Sequence, residues 1–248
     1  GLQHQDGHSH LAAAATPNIK AYDLAYAYEI AVVVQHGIKE MFYDQKDVIY
    51  YLTLENENYN HPKIPSGIEQ DIIKGMYKVR STKNPTVRLL GSGPLLNEII
   101  AAAELLINDW NIEPGIWNVT SFTELRREAE ETERWNIINP EKTPKQSHLE
   151  KSLNKNPVPT IAVSDYVKIS SEQISRYVSG DYYALGTDGF GRSDTRENLR
   201  HFFEVDRYYI VLTSVRALAV SGVVDMSMVN KVIKKYNIDS NKPSPITI

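Results

Sequence analysis

The stretch GTDGFGRSDTRENLRHFFEVD, which occupies residues 186–206, decides the fold. The apolar run at residues 182–185 just before it predicts a buried strand, and three glycines within the next six residues allow a tight turn. Ser193 and Asp194 are residue types that begin helices, and the apolar stripe after them predicts a helix. The unit is therefore strand, glycine-rich loop and helix. In a parallel α/β sheet such a loop lies outside the carboxyl end of a strand, where these folds bind ligands.

The glycine-rich loop differs from the common nucleotide-binding motifs. Its glycines stand at positions 1, 4 and 6 of GTDGFG, whereas the dinucleotide fingerprint has them at positions 1, 3 and 6. It also lacks the lysine of the phosphate-binding loop. Two interpretations stay open: a structural turn into a well-capped helix, or an active-site wall built from backbone amides and the side chains of Asp188, Arg192 and Asp194.

From residue 85 onward, apolar runs of strand length alternate with amphipathic helical patterns. This alternation predicts an α/β fold with a mainly parallel sheet and helices on both faces. Residues 141–155 read as a long surface loop, and residues 237–248 read as a loosely attached tail. The predicted strands are residues 87–90, 114–119, 158–163 and 182–185.

In front of this pattern, residues 22–41 read as a helix with Asp23 as its N-cap, and residues 48–54 read as a buried strand. We assign no chemistry to Glu55 and Glu57 in the loop after that strand, because exposed loop carboxylates are usually only solvated. A charged segment before a proline marks a domain boundary further on. The predicted units are residues 1–84 and residues 85–248.

The composition is that of a globular protein, because 42% of the 248 residues are hydrophobic and 23% are charged. A formal net charge of −4 argues against a dedicated nucleic-acid binder, which is usually basic. The absence of cysteine excludes thiolate metal sites and a cysteine nucleophile, and it fits a reducing cytosol. No run approaches the ~20 apolar residues of a membrane span, and the first residues lack a signal-peptide pattern. We expect a cytoplasmic protein without nucleic-acid or membrane partners, and the start without methionine suggests a piece of a longer chain.

Three histidines, His4, His8 and His10, surround Asp6 near the start of the chain. Imidazoles at short spacing beside a carboxylate suit a divalent metal ion. The neighbouring glycine and serine favour a plain polar loop instead. Both interpretations stay open on the residues alone.

The sequence resembles a known family from its first residue nearly to its last. The matching stretches are, in family order, residues 1–10 (GLQHQDGHSH), 22–29 (YDLAYAYE), 90–93 (LGSG), 119–125 (VTSFTEL), 133–136 (ERWN) and 185–206. Together they are similar to the C-terminal part of the homodimeric bacterial-type pyruvate dehydrogenase decarboxylases. That family depends on thiamine diphosphate and is related to transketolase.

The resemblance implies a fold, an activity and partners. It implies that residues 1–84 are the tail of a thiamine-diphosphate (pyrimidine-binding) α/β domain, and that residues 85–248 form a three-layer αβα domain like the C-terminal domain of transketolase. It also implies that the full-length enzyme decarboxylates pyruvate on thiamine diphosphate with Mg²⁺ and reductively acetylates lipoyl groups. The implied partners are a second copy of the same chain in a homodimer, pyruvate, and the lipoyl domain of the acetyltransferase component.

The resemblance also implies where the cofactor binds. The family's motif for magnesium and diphosphate, Gly-Asp-Gly followed by Asn, is not found in this sequence. The glutamate that activates the aminopyrimidine is expected upstream of Gly1 as well. We therefore expect the cofactor-binding residues before Gly1, no metal ligands in this chain, and neither tight cofactor binding nor activity from the chain alone.

Carried over by motif position, His4 is the implied catalytic residue, since an imidazole can hydrogen-bond a carboxylate or move a proton. The resemblance places Asp188, Arg192, Ser193 and Asp194 near the active-site entrance, with shaping the turn and capping the helix as their alternative role. Two other functions stay open. One is a related 2-oxo acid decarboxylase or transketolase, and the other is a dimerisation or interaction module without catalysis.

Overall fold

The structure, a computed structural model, describes residues 5–80, 82–153 and 155–248. In that part of the chain, no helix is long and apolar enough to cross a membrane. A π-helical turn, Lys39–Tyr43, extends the helix Ala27–Ile38. In chain order the elements are α1 (Ser9–Ala15), β1 (Ile19–Asp23), α2 (Ala27–Ile38), β2 (Ile49–Thr53), α3 (Glu69–Lys74), β3 (Met76–Arg80), β4 (Val87–Gly91), α4 (Leu95–Trp110), β5 (Pro114–Val119), α5 (Phe122–Ile138), α6 (His148–Leu153), β6 (Thr160–Val163), α7 (Ile169–Glu172), β7 (Tyr182–Leu185), α8 (Arg196–Phe202), α9 (Arg207–Val220) and α10 (Ser227–Lys235).

The larger sheet has the strand order β3-β5-β4-β6-β7 among the described residues. Strands β4, β5, β6 and β7 are parallel to their neighbours, whereas β3 is antiparallel to β5. Because side chains alternate across a strand, Leu89 of β4 joins the core formed with α4 and α9, while Leu90 joins the core formed with α5 and α6. This confirms the predicted α/β fold with a mainly parallel sheet and helices on both faces.

The first unit contains a second sheet of two parallel strands, β1 and β2. The helix predicted at residues 22–41 starts later than expected, because its first residues belong to β1. Asp23 ends that strand and is not an N-cap; the N-cap of α2 is Tyr26. The carboxylate of Glu29 accepts hydrogen bonds from the backbone amides of Ala25 (2.7 Å) and Tyr26 (3.1 Å). This capping box fixes the start of the helix, and pairing with β2 outweighs helix propensity before it.

Two strands are less buried than the sequence predicted. β7 lies at the edge of the larger sheet, and β2 lies in the two-stranded sheet, so each has one neighbouring strand among the described residues. The residues of β7 are half-buried, and those of β2 are half-buried or exposed. Their positions agree with the predicted strands, but the burial does not.

Two segments predicted to be irregular or loose are packed onto the fold. Residues 141–155 include the helix α6, whose Leu149 and Leu153 lie one turn apart and are buried against α5. The tail at residues 237–248 is also anchored, since Pro245 is buried. In both segments, buried apolar residues that stand between polar residues in the sequence pack against the rest of the protein.

Strand β3 bears on the predicted boundary between residues 1–84 and residues 85–248. It precedes residue 85 and pairs with β5 of the larger sheet. Backbone pairing with the second unit therefore begins before the predicted boundary, which stays a prediction.

Candidate active site

A cavity of about 360 Å³ opens at the carboxyl ends of β2, β6 and β7. Glu55 follows β2, Asp165 and Tyr166 follow β6, and Thr187 follows β7. The remaining described walls come from residues 5–8, the glycine-rich loop and the region of α8. Open α/β sheets bind ligands in a crevice at this edge, so the cavity lies where the topology favours a site.

Asp165 has an altered acidity in this cavity. Burial, followed by the negative charges of Glu55 and Asp23, raises the pKa of its carboxyl to about 7. Within the described part of the chain, no residue donates a hydrogen bond to this carboxylate. Such a carboxyl changes its protonation near neutral pH, which is the property required of a general acid or base.

The charges around the cavity are mainly negative. Desolvation in the cleft, followed by the charge of Asp23, raises the pKa of Glu55. Arg200 is the one arginine or lysine among the described lining residues. Its guanidinium is already paired, at 2.5 Å from Glu57 and 3.3 Å from Glu98. The carboxyl groups of Glu55 and Asp165 therefore line the cavity without a cation of their own, because Arg200 is paired with Glu57 and Glu98.

A buried polar cluster lies beside the cavity. The hydroxyl of Thr53 donates to Asp23 Oδ1 (2.9 Å), and His10 Nε2 lies 3.0 Å from Thr53 Oγ1. Because Thr53 donates its proton to Asp23, Nε2 of His10 is the donor in the other bond. Burial lowers the pKa of His10, whose ring packs against that of Tyr166 with centroids 4.5 Å apart. The second oxygen of Asp23 has no hydrogen-bond partner among the described residues.

The predicted site residues of the glycine-rich loop bond to other parts of the protein or face solvent. Asp188 Oδ2 accepts a hydrogen bond from the Lys168 amide at 3.1 Å. The amide of Arg192 donates to Gln5 Oε1 at 2.5 Å. Ser193 and Asp194 are exposed. His4 lies outside the described residues. None of the four loop residues Asp188, Arg192, Ser193 and Asp194 is among the described residues that line the cavity.

The predicted cap of α8 is wrong by one or two residues. The N-cap is Thr195, whose Oγ1 accepts from the Asn198 amide at 3.3 Å, and the helix begins at Arg196. Asp194 accepts instead from the Thr195 amide (2.7 Å) and from Asn198 Nδ2 (2.9 Å). Ser193 belongs to the loop before the cap. The loop is longer than predicted because a threonine, which is also an N-cap type, stands nearer the first helical turn.

The histidines near the start of the chain give no support to a metal site. His8 lines the cavity, whereas His10 is buried against Thr53, and His4 lies outside the described residues. In the part of the chain that the structure describes, no group of three or more histidine, aspartate or glutamate side chains could hold a metal ion.

The charges of the cavity bear on whether it could hold thiamine diphosphate and Mg²⁺. A diphosphate needs cations or a metal ion beside it. The cavity offers carboxyl groups and one arginine that is paired with Glu57 and Glu98. The described residues therefore do not fit the diphosphate and metal end of this cofactor.

Sequence reasoning did not single out Asp165, Tyr166 or Asp23 for chemistry, and it set Glu55 aside. A signal was present for Asp165 and Tyr166, since they directly follow the strand predicted at residues 158–163. For Asp23 and Glu55 the signal required β1 and β2 to be recognised as paired strands that end at the same edge.

Comparison with known proteins places both parts of the chain. Residues 1–62 match the family described as the pyruvate dehydrogenase E1 component middle domain. Residues 75–206 match the transketolase-like C-terminal domain.

Relatives match along the whole chain. A pyruvate dehydrogenase E1 component from Cupriavidus necator is 53% identical over 100% of this chain, and one from Escherichia coli K12 is 45% identical over 99% of it. The chain spans 28% of the length of each of these curated relatives.

Solved structures show the same fold at low identity. A transketolase variant from Pichia stipitis has a TM-score of 0.65 and 18% identity, and the match covers 90% of this chain and 28% of that one. A split-gene transketolase described as an inactive β4 tetramer has a TM-score of 0.60 and 14% identity, and the match covers 88% of this chain and 64% of that one. The chain therefore belongs to the transketolase-like C-terminal domain family, here joined to a segment of the pyruvate dehydrogenase E1 middle domain.

Proposed function

We propose that this chain is part of a pyruvate dehydrogenase decarboxylase, which decarboxylates pyruvate on thiamine diphosphate and reductively acetylates lipoyl groups. One observation carries the proposal: relatives named pyruvate dehydrogenase E1 component match 99–100% of the chain at 45–53% identity. The likeness to transketolase, at 18% identity, concerns the fold alone. A transketolase activity or a non-catalytic module is therefore not favoured. Because the chain spans 28% of these relatives, the activity is proposed for the full-length protein.

In this proposal the residues that line the cavity form part of the active site. Gln5, which follows His4 in the sequence, is one of the described lining residues, while His4 keeps the catalytic role that the resemblance implies. The role of His4 is to hydrogen-bond the substrate or move a proton. Asp165, whose pKa is raised to about 7, holds or releases a proton at the same site. The entrance role predicted for Asp188, Arg192, Ser193 and Asp194 has weaker support, since none of them is among the described lining residues.

The proposal includes cofactors and partners of the full-length enzyme. Thiamine diphosphate, when bound, supplies the chemistry that stabilises the carbanion after loss of CO₂. It and Mg²⁺ are held by residues outside this chain. The partners are a second copy of the chain, pyruvate, and the lipoyl domain of the acetyltransferase component, and the location is the cytoplasm.

A chimera tests this function. The 248-residue chain replaces the corresponding segment of the Cupriavidus necator relative, with which it shares 53% identity. The measurement is pyruvate-dependent reduction of an artificial electron acceptor in the presence of thiamine diphosphate and Mg²⁺. We expect turnover by the chimera, and strong loss of turnover when His4→Gln is introduced. The isolated chain, titrated with both cofactors by calorimetry, is expected to bind neither tightly.

Three results would contradict the proposal in different ways. Turnover of sugar phosphates in place of pyruvate would indicate a transketolase. A chimera that folds and dimerises but acts on neither substrate would indicate a non-catalytic module. Tight binding of both cofactors by the isolated chain would mean that the cofactor site lies within it.

A further inference from the structure

The C-terminal tail, residues 237–248, is bound to α8 through one lysine. Lys242 Nζ donates to the backbone carbonyls of His201 (2.9 Å) and Phe202 (2.7 Å) in the last turn of α8. It also lies 3.2 Å from Glu204 Oε1, and the lysine side chain is only 15% exposed. Carbonyls at the end of a helix lack helical partners and favour a donor beside them, so Lys242 holds the carboxyl end of α8.

The same tail packs against the glycine-rich loop. Gly189 has φ of +110°, and a Cβ atom built on it would lie 2.5 Å from the carbonyl oxygen of Pro245, which is itself buried. Glycine is therefore required here both for its backbone and for the approach of the tail. Two residues further on, a Cβ atom built on Gly191 would lie 2.6 Å from Gln5 Oε1, and Gln5 lines the cavity. The loop thus contacts the tail and the cavity wall at once.

The segment that the tail holds at these two points forms one wall of the cavity. Its lining residues are Gly189, Gly191, Leu199, Arg200, Phe203 and Val205. All residues of α8 are described and none of them is buried, so packing alone does little to hold this helix. Besides the ion pairs of Arg200, the contacts with the tail therefore decide where this wall lies.

The turn that ends α8 is a strained part of the wall. Glu204 has φ of +62°, a left-handed conformation that is unfavourable for a residue with a side chain. Phe203 and Val205 on either side of it are buried and line the cavity. Because Lys242 bonds to Glu204 and to the carbonyls just before it, it stabilises the turn that places both side chains.

We infer that the C-terminal tail positions the cavity wall formed by residues 186–206, with Lys242 and Pro245 as the positioning residues. Lys242 fixes the end of α8 and the left-handed turn, and Pro245 supports the glycine-rich loop. Neither is among the described residues that line the cavity, so each acts through the wall. The contacts stand on the distances above, whereas an effect on the reaction rests on the proposed function.

Hydrogen exchange on the 248-residue chain tests the lysine contact without reference to activity. Lys242→Met keeps the apolar length of the side chain but removes its donors, whereas Lys242→Arg keeps donors and charge. The amides of Phe203 and Val205 make the hydrogen bonds that close the end of α8. We expect them to exchange about fivefold faster or more in Lys242→Met, and Lys242→Arg should retain most of the protection.

The control for this variant is Lys235→Met in α10. Lys235 also pairs with a carboxylate, at 2.8 Å from Asp109, but it lies before the tail, and the variant should leave exchange at the end of α8 unchanged. A chain that ends at Lys242 tests the second contact, because it lacks Pro245. The Thr187 amide, which is hydrogen-bonded at the start of the glycine-rich loop, should then exchange faster while the end of α8 stays protected.

The acidity of Asp165 reports whether the wall itself moves. Burial is the first cause that raises the pKa of Asp165 to about 7. A loosened wall admits water to the cavity, so the pKa should fall toward 3.8 in Lys242→Met and stay near its original value in Lys242→Arg and Lys235→Met. Loss of the lysine charge alone would raise this pKa, so a fall, measured by ¹³C NMR, indicates movement of the wall.

Kinetics of the chimera test the consequence for the reaction. We expect Lys242→Met to lower kcat by roughly 10-fold or more, since a displacement of about 1 Å near a reacting group has effects of up to about 100-fold. The affinity for thiamine diphosphate should not change. Lys242→Arg should restore most of the turnover, and Lys235→Met should retain the kcat of the unmodified chimera.

The outcomes separate this inference from the proposed function. Unchanged exchange at the end of α8 in Lys242→Met overturns the contact. Faster exchange with an unchanged pKa of Asp165 overturns the positioning role, because the tail would then stabilise α8 alone. An unchanged kcat in the Lys242→Met chimera shows that the wall does not act on the reaction. An inactive unmodified chimera contradicts the proposed function, while exchange and titration still decide the role of the tail.

Discussion

Two carboxyl groups of this molecule have the same altered acidity in opposite surroundings. Burial is the first cause that raises the pKa of Glu29 and of Asp165, in each case to about 7. Glu29 is fully buried and accepts hydrogen bonds from the amides of Ala25 and Tyr26, from the Tyr77 hydroxyl and from Asn118 Nδ2. Asp165 lines a cavity, and no described residue donates a hydrogen bond to its carboxylate.

The comparison shows that a raised pKa does not by itself mark a functional group. The carboxyl of Glu29 joins α2 to β3 and β5, so its bonds connect the first unit to the larger sheet. Its four donors leave it no direction in which to meet a ligand. Asp165 has the same acidity with its bonding capacity unused and a cavity in front of it. The hydrogen bonds therefore distinguish a structural carboxyl from a candidate catalytic one.

The largest expected effect is the loss of folding stability when Glu29 is substituted. Glu29→Ala leaves four buried donors without their acceptor, and we expect a loss of about 3–5 kcal/mol in the free energy of unfolding. Urea unfolding of the 248-residue chain measures it. The matched control is Glu131→Ala on the surface of α5, which should change stability by less than about 0.5 kcal/mol.

A second variant covers the case in which Glu29→Ala does not fold. Tyr77→Phe removes one of the four donors, and it should cost about 1 kcal/mol. If Glu29→Ala were as mild as Glu131→Ala, the network would not be structural and the comparison would fail.

On the other side of the comparison, we expect Asp165→Asn to stabilise the protein at alkaline pH. The ordinary pKa of aspartate is 3.8 and the folded-state pKa of Asp165 is about 7, so the folded state holds the proton more tightly than the unfolded chain. Its contribution to stability is present below pH 4 and is lost as pH rises to 7. Asparagine does not ionise, so the variant should be more stable at pH 8 by about 1–2 kcal/mol, after allowance for solvent in the cavity.

Chemical denaturation between pH 5 and pH 8.5 measures this difference. The stability of the variant should fall less steeply with pH than that of the wild type, and the remaining slope includes the contribution of Glu29. Asp181→Asn, at an exposed position, is the control and should leave the slope unchanged. A slope for Asp165→Asn equal to that of the wild type would show that Asp165 ionises like an exposed carboxylate.

Part of the fold could be predicted from the sequence. Apolar runs of strand length and period-3.6 patterns predicted the four parallel strands of the larger sheet and most of the helices between them, because those patterns are local. The helix α6, between β5 and β6, was read as a loop. They also predicted that the glycine-rich loop lies at the carboxyl edge. Strands β1 and β3 were missed, since their partners β2 and β5 are distant in the chain and pairing, not propensity, makes them strands.

The acidity of Asp165 was outside the reach of the sequence for the same reason. Its neighbours Asp23, at the end of β1, and Glu55, in the loop after β2, are more than 100 residues away in the chain. The contact between Gly191 and Gln5 joins residues 186 positions apart. A glycine motif can be seen in the sequence, but whether it faces a ligand or another part of the chain depends on such distant contacts.

A smaller loss of stability is expected at an exposed residue that accepts a hydrogen bond as Glu29 does. Thr195 accepts a hydrogen bond from a backbone amide at the solvent-exposed start of α8. We expect Thr195→Ala to cost about 1 kcal/mol, because water replaces the lost acceptor. Ser193→Ala tests the corrected cap, because Ser193 lies in the loop before it. We expect this variant to lose less than about 0.5 kcal/mol in the free energy of unfolding. Thermal unfolding of both variants measures this, and a larger loss for Ser193→Ala would return the cap to the position that the sequence first indicated.

The last variant, Glu55→Gln, tests the cause of the raised pKa of Asp165 with little expected change in stability. Glu55→Gln removes the neighbouring negative charge that contributes most, after burial, to the raised pKa of Asp165. We expect the pKa of Asp165 to fall but to stay above 3.8, because burial is unchanged, and stability to change by less than about 0.5 kcal/mol. Titration by ¹³C NMR of the carboxyl carbons measures it, with the exposed Glu113→Gln as control.

The same titration reports Glu29, whose pKa is raised first by burial and also by the charge of Asp23. Its pKa should not move in Glu55→Gln. A shift of Asp165 alone would show that like charges gathered at the cavity help to set its acidity, as in sites that move protons. If neither pKa moved, burial alone would raise both, and only the hydrogen bonds would still distinguish the two carboxyl groups.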